Sequence, residues 1–112
     1  MVKTNNRWNR LYNRIFDFYD VTERGEIISL RSGELLSMGR PNKKGYIRKN
    51  FHIDRKNGKP VTVFIHRLVA YKFHKNNNPK KLNTVDHINK DKSNNSIDNL
   101  QWLSHIDNVK KG

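Results

Sequence analysis

The chain of 112 residues contains no cysteine. Without thiols it can form neither a disulfide nor a cysteine-bound zinc site, which excludes zinc ribbons and zinc fingers. It also lacks any run of about 18 apolar residues, the least that crosses a bilayer as a helix, and the segment MVKTNNRWNR lacks the apolar stretch of a signal peptide. We therefore expect a protein that is not secreted, has no membrane partner and works in the cytoplasm.

Acidic residues are scarce, with 10 Asp and Glu against 23 Lys and Arg, for a formal net charge of +13. A small protein with this charge most often binds a polyanion, because Lys and Arg displace condensed counterions from phosphates. Apolar residues make up 34% of the chain, below the roughly 45–50% of ordinary globular domains, so the core must be small. We expect one compact unit that binds nucleic acid.

Two segments in the first two thirds of the chain have apolar side chains at helical spacing. Residues 1–16 suggest an amphipathic helix packed on the core or, alternatively, a basic arm that lies on DNA. Residues 66–73 predict a helix with one apolar stripe. The helix is expected to end in the polar tract that follows, because Pro79 prevents it from continuing.

Strand patterns fill most of the intervening sequence. Residues 17–36 read as two short strands, and residues 37–45 read as a loop rich in Gly, Pro and basic residues. Residues 46–53 and 61–65 predict a clearer hairpin, because apolar side chains alternate there around an Asn-Gly turn signal. The chain before the final third is thus predicted to hold a small antiparallel sheet with one helix.

The segment from Arg40 to Lys59 contains eight basic residues and one acid. On the predicted hairpin, Arg48 and Asn50 face away from the apolar positions, and a basic two-stranded ribbon of this kind fits the major groove of double-stranded DNA. We therefore predict phosphate and base contacts from this region and from the start of the following helix. The predicted DNA-binding residues are Arg40, Lys43, Lys44, Arg48, Lys49, Asn50, Arg55, Lys56, Lys59 and Arg67.

The final third combines a strand over residues 84–88, a polar loop, a strand over residues 99–103 and a helix from Ser104 onward. Asp86 and His87 are adjacent on the first strand. A carboxylate is the kind of ligand that Mg²⁺ or Mn²⁺ prefers, and an imidazole can remove a proton from water near neutral pH. Neighbouring residues on a strand point to opposite faces, so a ligand beside a base implies a strand end or a bulge.

Two asparagines complete the pattern. Asn108 lies 108 − 86 = 22 residues after Asp86, on the terminal helix, and offers an amide oxygen as a second metal ligand. Asn99 lies 99 − 87 = 12 residues after His87, and its amide can brace the loop that aims the imidazole. One divalent cation beside one base, in a basic protein, suggests cleavage of nucleic acid.

The stretches IHRLVAYKF, VDHINKDKSNN and IDNLQWLSHIDNVKK resemble the HNH endonuclease family, in particular the homing-endonuclease branch encoded by phages and introns. The resemblance implies an α+β fold with a basic β-sheet region and N-terminal arm over residues 1–63 and a ββα-metal nuclease region over residues 64–112. It also implies a DNA endonuclease with one Mg²⁺ or Mn²⁺ per chain, working as a monomer or homodimer in the cytoplasm of a phage's bacterial host. The expected products carry a 5′ phosphate and a 3′ hydroxyl.

The resemblance also assigns roles to single residues. His87 matches the general base and Asn99 the central asparagine of the motif, while Asp86 and Asn108 match the metal-binding positions. His105, one helical turn before Asn108, is a candidate to contact the scissile phosphate or an outer-shell water. His66 is interpreted as structural.

A non-catalytic basic protein explains the charge equally well. It would be RNA- or ribosome-associated, or an HNH relative that kept the fold and lost activity. The two interpretations differ at the site, because a pure binding protein has no need for Asp86, His87 and Asn108 together.

Overall fold

The structure is a computed structural model that describes residues 7–53 and 58–111, with side chains described from Arg10 onward within those ranges. The predicted DNA contacts Arg55 and Lys56 lie outside the described residues, as does Asn57 of the Asn-Gly turn signal.

Three helices and eight strands follow one another along the described chain. Helix α1 spans Arg7–Phe16, and strands β1 to β6 span Tyr19–Val21, Ile27–Ser29, Leu35–Leu36, Arg40–Pro41, Ile47–Phe51 and Val61–Phe64. They are followed by helix α2 (Ile65–Phe73), strand β7 (Thr84–His87), a 3₁₀ turn (Ile97–Asn99), strand β8 (Leu100–Leu103) and helix α3 (His105–Lys111). The α+β fold class expected from the sequence is confirmed.

The strands form three small antiparallel sheets, in the orders β1-β2-β3, β4-β5-β6 and β7-β8. The prediction that residues 37–45 form only a loop was wrong at β4, where Arg40 pairs with Arg48 and Pro41 with Ile47. Proline is tolerated there because β4 is an edge strand. Gly39 allows the close approach, since a Cβ on it would lie 2.5 Å from the carbonyl oxygen of Arg48.

Helix α1 packs on the core through its buried side chains Tyr12 and Ile15. The rings of Tyr12 and Tyr71 lie 5.1 Å apart, which joins α1 to α2. Arg10 and Arg14 are exposed on the outer side of α1. The contacts therefore favour the packed amphipathic helix over a free arm.

Helix α2 is the central element, because it packs against α1 and against strands of the second and third sheets. Its residues Leu68, Val69 and Ala70 are almost completely buried, and Leu100 and Val85 of the last hairpin belong to the same hydrophobic core. The hydrophobic core is continuous across the predicted boundary between the two regions, at residues 63 and 64. The division into two regions stays a prediction. None of the described helices is long and apolar enough to cross a membrane.

Candidate active site

The hairpin of β7 and β8, followed by α3, forms the ββα unit that the sequence predicts. In this hairpin Asp86 pairs with Gln101. Ser104 starts α3 by accepting a hydrogen bond on its Oγ from the backbone N–H of Asp107 at 3.1 Å, as an N-cap serine does. Asn108 then donates from Nδ2 to Thr84 Oγ1 at 3.1 Å, which fixes α3 against β7.

Asp86 is a nearly buried carboxylate, 7% exposed, that already carries a cationic partner. Its Oδ2 accepts hydrogen bonds from Lys111 Nζ at 2.5 Å and from Gln101 Nε2 at 2.8 Å. Burial alone would raise the pKa of Asp86, but the hydrogen bonds from Lys111 and Gln101, with the positive charge of Lys111, outweigh it and hold the pKa below its ordinary value. Asp86 is therefore ionised at neutral pH.

His87 is the last residue of β7, at the strand end that adjacent ligand and base positions require, and it is 5% exposed. Its Nε2 lies 2.8 Å from Oδ1 of Asn95, which is also buried. An amide oxygen only accepts hydrogen bonds, so with the Asn95 amide in this orientation Nε2 of His87 donates and Nδ1 carries the lone pair. Asn95 thereby sets both the tautomer and the orientation of the imidazole.

Aromatic rings surround His87 on its other side. The ring centroids of His66 and Tyr46 lie 4.9 Å and 5.9 Å from that of His87. Burial first, and then the electrostatic effects of the neighbouring His87 and Arg67, lower the pKa of His66 to about 3. His66 is therefore a neutral buried ring at physiological pH, and its Nδ1 has no hydrogen-bond partner among the described residues. It was predicted to be structural, yet it lies against the proposed base.

The loop between β7 and β8 is closed by Asn99. Its Nδ2 donates to the backbone oxygen of Asn94 at 2.9 Å, and its Oδ1 accepts from the backbone N–H of Asn89 at 3.0 Å. Its backbone oxygen also accepts from the N–H of Ile88 at 2.8 Å. The predicted bracing geometry of Asn99 is thus present at the loop backbone, while the imidazole itself is held by Asn95.

The turn between β1 and β2 packs against this loop and hydrogen-bonds to it. The N–H of Ile97 donates to the backbone oxygen of Glu23 at 2.9 Å. Gly25 has φ +82°, and a Cβ on it would lie 3.0 Å from the Cβ of Asn95 and 3.5 Å from Ile65 Cγ2. Glycine is needed here both for the left-handed backbone and for the space beside Asn95.

These elements enclose one open cleft with a strongly cationic wall. Five Lys or Arg side chains line it against the single carboxylate of Asp86, a balance that favours a polyanion. The cleft is lined by Asn42, Lys44, Tyr46, Phe64, His66, Arg67, Thr84, Val85, Asp86, His87, Lys90, Lys92, His105, Asn108, Val109 and Lys111.

Six of the predicted site residues meet in this cleft, and the other predicted residues that the structure describes lie elsewhere. The six are Lys44, Arg67, Asp86, His87, His105 and Asn108. Exposed predicted DNA contacts outside it are Arg40, Lys43, Arg48, Asn50 and Lys59. Lys49 is separated from them, because its side chain lies on the side of β5 that carries Phe51 and donates to Ser37 Oγ at 3.0 Å.

Several residues of the site were missed in the sequence. Lys90 and Lys92 belong to the polar loop beside His87, and their closeness to it was the available signal. Asn95 is the last residue of the stretch VDHINKDKSNN, but nothing in the sequence linked it to the imidazole. Gln101 and Lys111 hydrogen-bond to Asp86, but they are brought there by the pairing of β7 with β8 and by the position of α3. No local sequence pattern marks either residue.

Comparison with known proteins places these features in a family. The sequence model of the HNH endonucleases matches residues 63–110. Two uncharacterized HNH endonucleases of Acanthamoeba polyphaga mimivirus are 35% and 33% identical to this chain, over 92% and 97% of its length. The DNA endonuclease I-HmuI of Bacillus phage SP01 is 37% identical over 81% of it. The chain spans only 28%, 26% and 49% of these three relatives, respectively.

A solved structure agrees with the sequence comparisons. It describes DNA binding and cleavage by the HNH homing endonuclease I-HmuI, and it matches this fold with a TM-score of 0.70 at 35% sequence identity. The match covers 84% of this chain and 51% of that one. The ββα unit, the family match over residues 63–110 and these relatives agree, and the sequence and fold of this chain are similar to those of the HNH endonuclease family.

Proposed function

We propose that this protein is a metal-dependent endonuclease of the homing type that hydrolyses phosphodiester bonds of double-stranded DNA. The observation that carries the proposal is that Asp86, His87 and Asn108 line the same cleft, together with a cationic wall. A carboxylate, a base and an amide oxygen beside a phosphate-binding surface are the groups that phosphodiester hydrolysis requires.

The residues present fit a hard divalent cation. Asp86 is a nearly buried carboxylate that is ionised at neutral pH. Thr84 Oγ1 donates to the backbone oxygen of Leu103 at 2.8 Å and accepts from Asn108 Nδ2. The side chain of Asn108 therefore still has its amide oxygen available as a ligand. Thr84 and Asp86 are two residues apart on β7 and share a face, which puts Asn108 on the side of the strand that carries the carboxylate.

Asp86 and Asn108 would hold Mg²⁺ or Mn²⁺ as oxygen ligands, with water and DNA oxygens at the other positions. No three His, Cys, Asp or Glu side chains form a metal-holding group within residues 7–53 and 58–111. A bound divalent cation would offset the charge that builds on the phosphate and stabilise the departing 3′ oxygen as a Lewis acid.

His87 supplies the base. Asn95 keeps the proton on Nε2, so Nδ1 is the atom that takes the proton from the attacking water. Asn99 holds the loop that carries Asn95 in place. His105 is exposed on the cleft wall, where we propose that it contacts the scissile phosphate or a water of the metal.

The cationic residues of the cleft and of the second sheet bind the duplex. Lys44, Arg67, Lys90 and Lys92 would contact phosphates near the cut, because they line the same cleft as His87. One site per chain acts on one strand per encounter. A monomer is therefore expected to nick, and a double-strand break would need a homodimer or two successive cuts.

Supercoiled plasmid tests this function. Purified protein with Mg²⁺ or Mn²⁺ should convert it to open-circular product, and EDTA should prevent the conversion. The His87→Ala variant should bind the same DNA without cutting it, which excludes a contaminating nuclease. If the protein binds DNA but produces no nick with either metal, the proposed activity is wrong.

One observation favours a second function, a non-catalytic nucleic-acid-binding protein. The proposed metal carboxylate of Asp86 is paired with Lys111, as it would be in an HNH relative that no longer uses a metal. Such a protein would keep the cationic cleft and bind DNA or RNA with a steep salt dependence. The same plasmid experiment separates the two, because only the nuclease yields metal-dependent nicks.

A further inference from the structure

We propose that Lys111 is a displaceable cation. Its ammonium neutralises Asp86 while no divalent cation is bound, and it leaves the carboxylate when the metal binds. The inference rests on the proposed metal site at Asp86 and adds a residue that controls how tightly that site binds its ion.

The contact between the two residues is close and charged. Lys111 Nζ lies 2.5 Å from Asp86 Oδ2 and donates to the backbone oxygen of Ile88 at 3.1 Å. The Asp86 side chain is only 8% exposed, so its charge would be poorly compensated by water if the ammonium were absent. The ammonium of Lys111 thus compensates the negative charge of this poorly hydrated carboxylate.

The same contact is built to be broken. The Lys111 side chain is 29% exposed and flexible, so it can swing away from the carboxylate without unfolding its surroundings. Gln101 remains bonded to Asp86 at 2.8 Å and keeps the carboxylate oriented. Asn108 remains bonded to Thr84, so α3 keeps its place on β7 without the ion pair.

An ammonium and a divalent cation compete for Asp86 Oδ2, because two positive charges at hydrogen-bond or ligand distance from one oxygen repel each other strongly. The apparent metal affinity is then the intrinsic affinity multiplied by the fraction of molecules in which Lys111 has left the carboxylate.

The released ammonium stays in the cleft, which Lys111 lines together with Lys44 and Lys92. A phosphate of bound DNA is a new partner for it there. DNA and metal should therefore favour each other's binding, since each one stabilises the released position of Lys111.

Binding of Mn²⁺ to the metal-free protein tests the proposal without any cleavage. Lys111→Met should bind Mn²⁺ at least about tenfold more tightly than wild type, measured by calorimetry and by the electron paramagnetic resonance signal of free Mn²⁺. Lys110→Met is the matched control, because it removes the same charge from the neighbouring, exposed position. Its affinity should stay within about threefold of wild type, since solvent and salt screen an exposed charge.

Two further variants keep the outcomes distinct. Lys111→Gln keeps a hydrogen-bond donor and loses the charge, so it should show the same gain even if Lys111→Met folds poorly. Equal Mn²⁺ affinity in the Lys111 and Lys110 variants would overturn the displaceable cation while leaving the metal site intact. Unchanged Mn²⁺ binding in Asp86→Asn would instead overturn the proposed metal site, and the role of Lys111 with it.

Discussion

The ββα unit, residues 84–111, and the basic sheet formed by β4 to β6, residues 40–64, use polar side chains in opposite ways. Five of the six buried polar residues of the described chain lie in the ββα unit, and they are Asp86, His87, Asn95, Asn99 and Ser104. In the basic sheet, Arg40, Arg48 and Asn50 are exposed. A buried polar group needs a specific partner, whereas an exposed charge acts through long-range attraction. Single changes should therefore have large effects in the ββα unit and small, additive effects in the basic sheet.

The largest effect is expected at His87. His87→Ala removes the proposed base and should lower the single-turnover cleavage rate of a labelled duplex by about 10²–10⁴-fold. DNA affinity, measured by fluorescence anisotropy, should change less than about twofold. His52→Ala, at an exposed position just after β5, is the control and should keep the rate. A parallel loss of rate and affinity in His87→Ala would show that the residue only supports the fold.

The second prediction concerns pH. The pKa of His66 is about 3 in the folded protein against 6.5 for an ordinary histidine, so below pH 6.5 the unfolded chain binds the proton that the folded chain refuses. Stability should fall as the pH falls from 6.5, at a slope of up to about 1.4 kcal/mol per pH unit.

Urea unfolding between pH 6.5 and about 4.5 measures this slope. His66→Phe keeps a ring in the site and should flatten it. Asp86 does not interfere in that window, because its pKa is lowered from 3.8, and the stability it contributes is lost only as the pH falls through still lower values. An unchanged slope in His66→Phe would mean that His66 is protonated in the folded protein.

The third prediction isolates the partner of the imidazole. Asn95→Ala removes the acceptor that orients His87 and should lower the cleavage rate by about 10–100-fold, the usual effect of losing a group that orients a site residue. Asn95→Asp keeps an acceptor oxygen and should retain more of the rate than Asn95→Ala. Equal rates in the two variants would argue against a role for this hydrogen bond.

A smaller effect is expected at the turn beneath the loop. Gly25→Ala and Gly33→Ala both place a side chain at positive φ, +82° and +73°, and each should cost about 1 kcal/mol for that reason. Gly25→Ala also presses on Asn95, whereas a Cβ on Gly33 meets nothing within 4 Å. Gly25→Ala should therefore cost about 1 kcal/mol more in urea unfolding. Equal costs would mean that the turn does not support the loop.

The smallest single effects belong to the basic sheet. Arg40 and Arg48 pair across β4 and β5, and replacing both with Gln should reduce the salt dependence of DNA binding by about 0.9 in slope for each phosphate that the protein no longer neutralises. Lys80→Gln with Lys81→Gln removes the same charge from exposed positions outside the cleft and the sheet, and should change the slope less. Anisotropy titrations at several KCl concentrations measure both slopes. Equal slopes would remove the basic sheet from the DNA surface.

The sequence predicted the elements whose pattern is local. Alternation and helical spacing located β5, α2 and the β7–β8 hairpin, and the spacing of Asp86, His87 and Asn108 fits a strand end facing a terminal helix. The Asp86 and Asn108 side chains reach the same cleft because the hairpin and the capped helix have the expected lengths.

What the sequence could not predict depends on contacts across the fold. The loop after β7 offers several asparagines, and the choice of Asn95 as the partner of His87 follows from how Asn99 and the turn at Gly25 shape that loop. Strand β4 was missed because two residues, one of them proline, carry no alternation. The pairing of Asp86 with Lys111 needs the three-dimensional return of α3, which no spacing rule describes.

Lys92 joins the ββα unit to the basic sheet. Its Nζ donates to the backbone oxygen of Lys44 at 3.0 Å and lies 4.7 Å from the centroid of the Tyr46 ring, so the loop after β7 is fastened to the start of the hairpin of β5 and β6. If the sheet binds a duplex while His87 acts beside it, this contact and the shared core keep the distance between the bound base pairs and the cleaved bond constant. Such a protein would cleave the DNA at a constant distance from the base pairs that it binds.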